Sequence, residues 1–156
     1  MTPLPFRAGL VRRWHANPSL AHLTDTVASH IGRMAALACV LWPEPSAALF
    51  RAIACHDLGE IATGDVPWPV KQDPALMAAL DRLEAQALRD MGLAYHVGPD
   101  DARRLKLLDR LDAYLFVMQY APHALDGDDW PSAKAWLFAE QEAIVAPERI
   151  VRLARP

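Results

Sequence analysis

The sequence predicts an all-α fold, a compact bundle of about six to seven helices, and three observations point to it. Apolar residues recur at helical spacing in several separate segments. Proline and glycine fall mainly between those segments, and no run of four or more residues alternates as a half-buried strand bounded by turns would. At 156 residues the chain fits one domain over 1–156, long enough to bury roughly two thirds of its unfolded surface without disulfide or metal staples.

The elements follow in order. Val27 to Trp42 carries Val27, Ile31, Met34, Leu37, Ala38 and Leu41 at helical spacing, and Pro43-Glu44-Pro45 ends it. Ser46 can cap a second helix through Leu49, Phe50 and Ile53 to about Leu58, where Gly59 would supply the C-terminal cap. From Glu60 to Pro69, Gly64, Pro67 and Pro69 are too dense for a helix or a central strand, so this stretch reads as a structured loop. Asp73 and Pro74 open an amphipathic helix through Leu76, Leu80, Leu83 and Leu88 to Met91-Gly92. Pro99 or Asp100 starts the next, through Leu105, Leu108, Leu115 and Phe116 to about Tyr120, before Pro122. Ser132 opens the last clear helix, through Trp136, Leu137 and Ile144.

Composition bounds the function. Hydrophobic residues at 53% and charged residues at 22% are the balance of a soluble globular chain. The longest apolar stretches, Met34–Trp42 and Tyr114–Met118, fall well short of the ~20 residues that span a bilayer. The segment Met1 to Arg7 lacks the pattern of a secretory leader, so a cytoplasmic location is expected, the host cytoplasm if the chain is phage-encoded. Cys39 and Cys55 sit in apolar helical segments and read as buried free thiols. A net charge of −3 argues against binding a nucleic-acid polymer, while a metal ion with a few local Lys or Arg residues would still suit a small anionic substrate.

Charges that interrupt apolar helix faces mark the chemistry, because such positions are costly unless paired or bound to a metal. His30 shares a stripe with Met34, Leu37 and Leu41, and His56 shares one with Leu49 and Ile53. Asp109 shares one with Leu105, Asp112 and Phe116. With Asp57 beside His56, two imidazoles and two carboxylates make a mixed nitrogen and oxygen set suited to a divalent transition metal. Taken singly, each has a plainer reading: a hydrogen-bonded core histidine, or an aspartate paired with Arg103, Arg104 or Arg110.

The order His30, then His56-Asp57, then Asp109 resembles the H…HD…D signature of the HD-domain phosphohydrolases. The run Glu60-Ile61-Ala62-Thr63-Gly64-Asp65-Val66-Pro67-Trp68-Pro69-Val70-Lys71 is similar to a segment of the YfbR-like bacterial deoxyribonucleoside 5′-monophosphatases and of the small DatZ-type phage dATP triphosphohydrolases. Arg13-Trp14 ahead of Thr24 to His30, and Lys106 to Leu115 around Asp109, look like two further motifs of that group, so the resemblance covers about Arg13 to Leu115.

The resemblance implies an HD-type helical bundle with His30, His56, Asp57 and Asp109 as metal ligands and Glu60 orienting or deprotonating the attacking water. It makes Lys71 and Lys106 phosphate holders, and gives Arg13 and Trp14 the lining of a pocket that favours deoxyribose. Asp65 would either take a sugar hydroxyl or order its loop. Ala16 stands where the phage enzymes carry a bulky aliphatic residue near adenine C2, which weakens exclusion of 2-amino purines. The metal would be Zn, Co, Mn or Fe, with Mg in addition for a triphosphate. The expected activity is dATP-preferring dNTP triphosphohydrolysis in a homo-oligomer. A deoxyribonucleoside 5′-monophosphatase and a catalytically silent nucleotide-sensing module stay open beside it. Of the other histidines, His15, His22, His96 and His123 lack paired ligand spacing, though His15 follows Trp14 and could reach the pocket.

Overall fold

Every regular element in a computed structural model, which describes residues 3–127 and 129–153, is helical. Met1 and Thr2, part of the segment read for a secretory leader, lie outside the described residues, as does the end of the 1–156 domain. Among the described residues there is no strand, only one antiparallel bridge between Arg12 and Thr26. The helices are α1 (Leu4–Ala8), α2 (Val27–Leu41), α3 (Ala47–Cys55), α4 (Trp68–Lys71), α5 (Pro74–Asp90), α6 (Pro99–Tyr120) and α7 (Trp130–Ile144), with single 3-10 turns at Leu58–Ile61, Pro122–Asp126 and Pro147–Arg149. None of the described helices is long and apolar enough to cross a membrane.

The capping chemistry explains most boundaries. Thr26 Oγ1 accepts the Ser29 N–H at 3.2 Å ahead of α2, and Ser46 Oγ accepts the Leu49 N–H at 2.9 Å at the start of α3. Asp73 accepts from the Ala75 and Leu76 amides, and Pro74 fills a first-turn position that needs no N–H.

Four boundaries or environments differ from the sequence expectation. α3 stops at Cys55 rather than near Leu58, and the chain tightens into the 3-10 turn Leu58–Ile61. Gly59 lies inside that turn and is no left-handed cap; a Cβ there would stand 2.8 Å from both the Cβ and the carbonyl oxygen of Glu84, so glycine permits a close approach to α5. α7 opens at Trp130, with Pro131 in its first turn, rather than at Ser132. Cys39 is exposed because it lies on the outer face of α2, whereas Cys55 is buried. Of the proline-rich stretch expected as loop, Glu60 and Ile61 belong to the 3-10 turn, the residues from Ala62 to Pro67 are non-helical as expected, and one α-helical turn forms at Trp68–Lys71.

The chain divides into two compact units: residues up to Ile31 with Arg51–His96, and Gly32–Phe50 with the residues from Val97 onward. In the first, Ala8, Val27, Leu58 and Leu88 form a buried cluster, with Val11, Ile31, Ile61, Met91, Leu93 and Tyr95 packed against it. This cluster draws α1, the 3-10 turn and α5 together. Leu58 and Ile61 thus anchor the turn that carries Glu60. In the second unit α6 packs on α7, Arg103 pairs with Glu140, and the buried Gln141 accepts the Val151 N–H at 2.7 Å. Trp42 Nε1 donates to the Ile144 carbonyl at 3.2 Å.

Candidate metal centre

His30 enters the site from the first turn of α2, one turn past its Thr26 cap, and is fully buried. His56 and Asp57 follow the end of α3, where the His56 N–H still bonds the Ala52 carbonyl at 2.9 Å. The His56 Nδ1 lies 3.0 Å from the Ile53 carbonyl. A carbonyl only accepts, so Nδ1 carries a proton, which in the neutral ring leaves Nε2 the lone pair with which an imidazole binds a metal. Asp57 reaches both rings, with Oδ1 3.2 Å from His56 Nε2 and Oδ2 3.4 Å from His30 Nε2. One ligand atom from each of His30, His56 and Asp57 lies within 4.8 Å of the others.

This donor set fits a cation. A deprotonated Nε2 and a carboxylate oxygen are both acceptors, so a proton or a metal ion has to lie between them. His56 Nε2 is buried and makes no hydrogen bond, and neither does the buried Oε2 of Glu60 nearby in the chain. Buried polar atoms without partners are rare in folded proteins, and a divalent ion with its water is one group that would satisfy both.

Glu60 projects from the 3-10 turn and is 7% exposed. Its N–H bonds the Asp57 carbonyl at 3.0 Å, and its own carbonyl accepts the Thr63 and Gly64 amides at 3.2 and 2.7 Å. Gly64 then turns the chain with φ +75, a left-handed value that suits glycine. Burial, reinforced by the charges of Asp57, Asp65 and Glu84 and opposed by Lys71, pushes the Glu60 carboxyl up to about 8. Burial likewise raises Glu84, whose carboxylate accepts from Thr63 Oγ1 at 2.7 Å.

The Arg13-Trp14 pair is held from two sides. Asp25, 1% exposed, presents Oδ2 to the Trp14 indole N–H at 3.1 Å and to the Arg13 guanidinium at 3.5 Å. Asp65 Oδ2 accepts the Trp14 backbone N–H at 2.7 Å, and its other oxygen stands 4.0 Å from Lys71 Nζ. Of the two roles left open for Asp65, the loop-ordering one therefore has a visible partner, through a contact from a distant segment rather than a local turn. Trp14 itself has φ +63, and Ala16 and His15 are exposed. Asp25 and Glu84 escaped sequence reasoning. Their only signals were an acidic residue just ahead of Val27 and one within the amphipathic pattern of α5.

In the second unit Asp109 is half-buried on α6. Lys106, one turn earlier, is exposed and lies over the Trp136 ring at 5.7 Å, as Arg110 does at 4.5 Å. Asp112 pairs with Arg33 through contacts of 2.7 and 3.0 Å, Arg103 pairs with Glu140, and Arg104 pairs with Asp101.

The fold and the site together define an all-helical protein with a His/Asp cluster that could bind a divalent metal ion. No known family, no curated protein and no solved structure matches this chain.

Proposed function

We propose that this protein is a metal-dependent phosphohydrolase of the HD-domain kind, acting on deoxynucleoside triphosphates, dATP foremost, to release deoxynucleoside and inorganic triphosphate. The observation that carries the reading is a cluster of buried polar atoms without hydrogen bonds: His56 Nε2 and Glu60 Oε2, beside the Asp57 carboxylate. A divalent ion and a water molecule would suit such a cluster, and together they are the reagents of phosphate ester hydrolysis.

In this reading Asp109 is the further ligand that the resemblance implies beside His30, His56 and Asp57. When bound there, a divalent ion would supply polarisation of the phosphoryl group and a water whose pKa is lowered toward ~7. Glu60 orients the attacking water and takes its proton as the oxygen bonds to the α-phosphorus and the bond from that phosphorus to the 5′-oxygen breaks, and the proton passes on to the leaving deoxynucleoside. Lys71 and Lys106 hold phosphate oxygens, and Arg13 and Trp14 fix the sugar end of the substrate.

Product analysis with each deoxynucleoside mono- and triphosphate, in the presence of Zn, Co, Mn or Mg, tests the reading. The expected result is deoxynucleoside plus inorganic triphosphate, with kcat lowered about 10²–10⁴-fold in Glu60→Gln while calorimetry shows retained metal. Absence of turnover with every metal, or turnover indifferent to Glu60→Gln, overturns it. One observation favours a second reading: Lys71 lies near Asp65 and Lys106 lies over Trp136, so both cations already have partners. That suits a 5′-monophosphatase, which needs less positive charge beyond the reacting phosphorus, and it predicts nucleoside from monophosphates alone.

A further inference from the structure

We infer that Asp25 is a positioning residue for sugar discrimination, holding the Trp14 indole and the Arg13 guanidinium in one fixed arrangement; the sugar role rests on the deoxynucleotide reading above. A single oxygen, Asp25 Oδ2, receives both the Trp14 indole N–H at 3.1 Å and an Arg13 N–H at 3.5 Å. The Arg13 guanidinium in turn sits 5.2 Å from the centre of the Trp14 ring. The backbone joins in, since the Arg13 N–H bonds the Asp25 carbonyl at 3.1 Å and Arg12 bridges Thr26. Asp25 is 1% exposed, and a carboxylate taken that far from water is kept only where its partners are fixed.

Trp14 supplies a second, independent sign of constraint. Its φ of +63 is a left-handed value that a bulky side chain rarely adopts, and it is held there by the 2.7 Å bond from its N–H to Asp65. The ring is thus gripped at its nitrogen by Asp25 and at its backbone by Asp65. A flat wall fixed at both ends cannot yield to an added hydroxyl, whereas a loose one can. Preorganisation of this kind turns a small steric difference between deoxyribose and ribose into selectivity.

Two measurements test the assignment. The first needs no substrate: the Trp14 indole N–H resonance in the ligand-free protein, assigned by its disappearance in Trp14→Phe. In the wild type it is expected downfield and slow to exchange, and in Asp25→Asn it moves upfield and exchanges faster. An unchanged resonance overturns the grip. The second is the ratio of kcat/KM for a deoxynucleoside triphosphate over its ribonucleotide counterpart. It is expected to fall about tenfold in Asp25→Asn. Trp14→Phe, which keeps a flat ring but removes the donor, is expected to lower it too. Equal loss on both sugars, with the ratio preserved, reduces Asp25 to a structural residue and overturns the proposal. If the wild type turns over no nucleotide, the deoxynucleotide reading fails and takes the sugar role with it, while the indole resonance still decides the grip.

Discussion

At the scale of single residues, Glu60 sets the proposed function against stability. Its carboxyl is pushed up to about 8 in the metal-free fold from an ordinary value of 4.5. Between those values the folded chain keeps a proton that the unfolded chain has released, so the contribution of Glu60 to stability is intact below pH 4.5 and is lost as pH rises through 8. Each unit of separation is worth about 1.4 kcal/mol. With chelator present, Glu60→Gln is therefore expected to remove this loss, and melting curves taken from pH 5 to 8 should show its Tm advantage growing with pH. A constant gap across that range would count against the burial argument. His30, His56, Asp57 and Glu60 were legible in the sequence because each sits at a fixed spacing in a short motif or on an apolar stripe. Asp25 was not, because its meaning depends on a partner twelve residues away in sequence and met only through space.

At the scale of elements, caps and apolar periodicity revealed α2, α3, α5 and α6 to within a few residues. The 3-10 turn Leu58–Ile61 was not readable, since Gly59 there serves a close approach between elements and not the local backbone. α1 and the turn Pro122–Asp126 are too short to show a period. The approach of Glu84 to Gly59 makes α5 the support of the Glu60 turn, and Gly59→Ala tests it. The added methyl meets backbone and Cβ at 2.8 Å, so a loss of about 1–3 kcal/mol is expected in chemical denaturation, together with a fall in kcat larger than any change in KM. Wild-type stability and rate in this variant would mean that the turn can shift freely.

At the scale of the whole molecule, a site that takes metal only when folded ties stability to metal concentration. At a hundredfold excess over Kd the added stability is about 2.7 kcal/mol, which for a chain of this length corresponds to a Tm rise of roughly 5–10 °C. Scanning calorimetry with and without Zn, Co or Mn reads this directly, and the rise should vanish in His56→Ala. The all-helical class was legible because patterning decides class. The division into two units was not, since both are assembled from separated stretches of chain. That discontinuity bears on the order of synthesis. A nascent chain ending at Phe50 holds His30 but neither His56 nor Asp57, so it carries one of the three donors that meet in the first unit. The three donors are therefore together only once the second stretch of the first unit, Arg51–His96, has been made, and any ion they hold would be captured after that point.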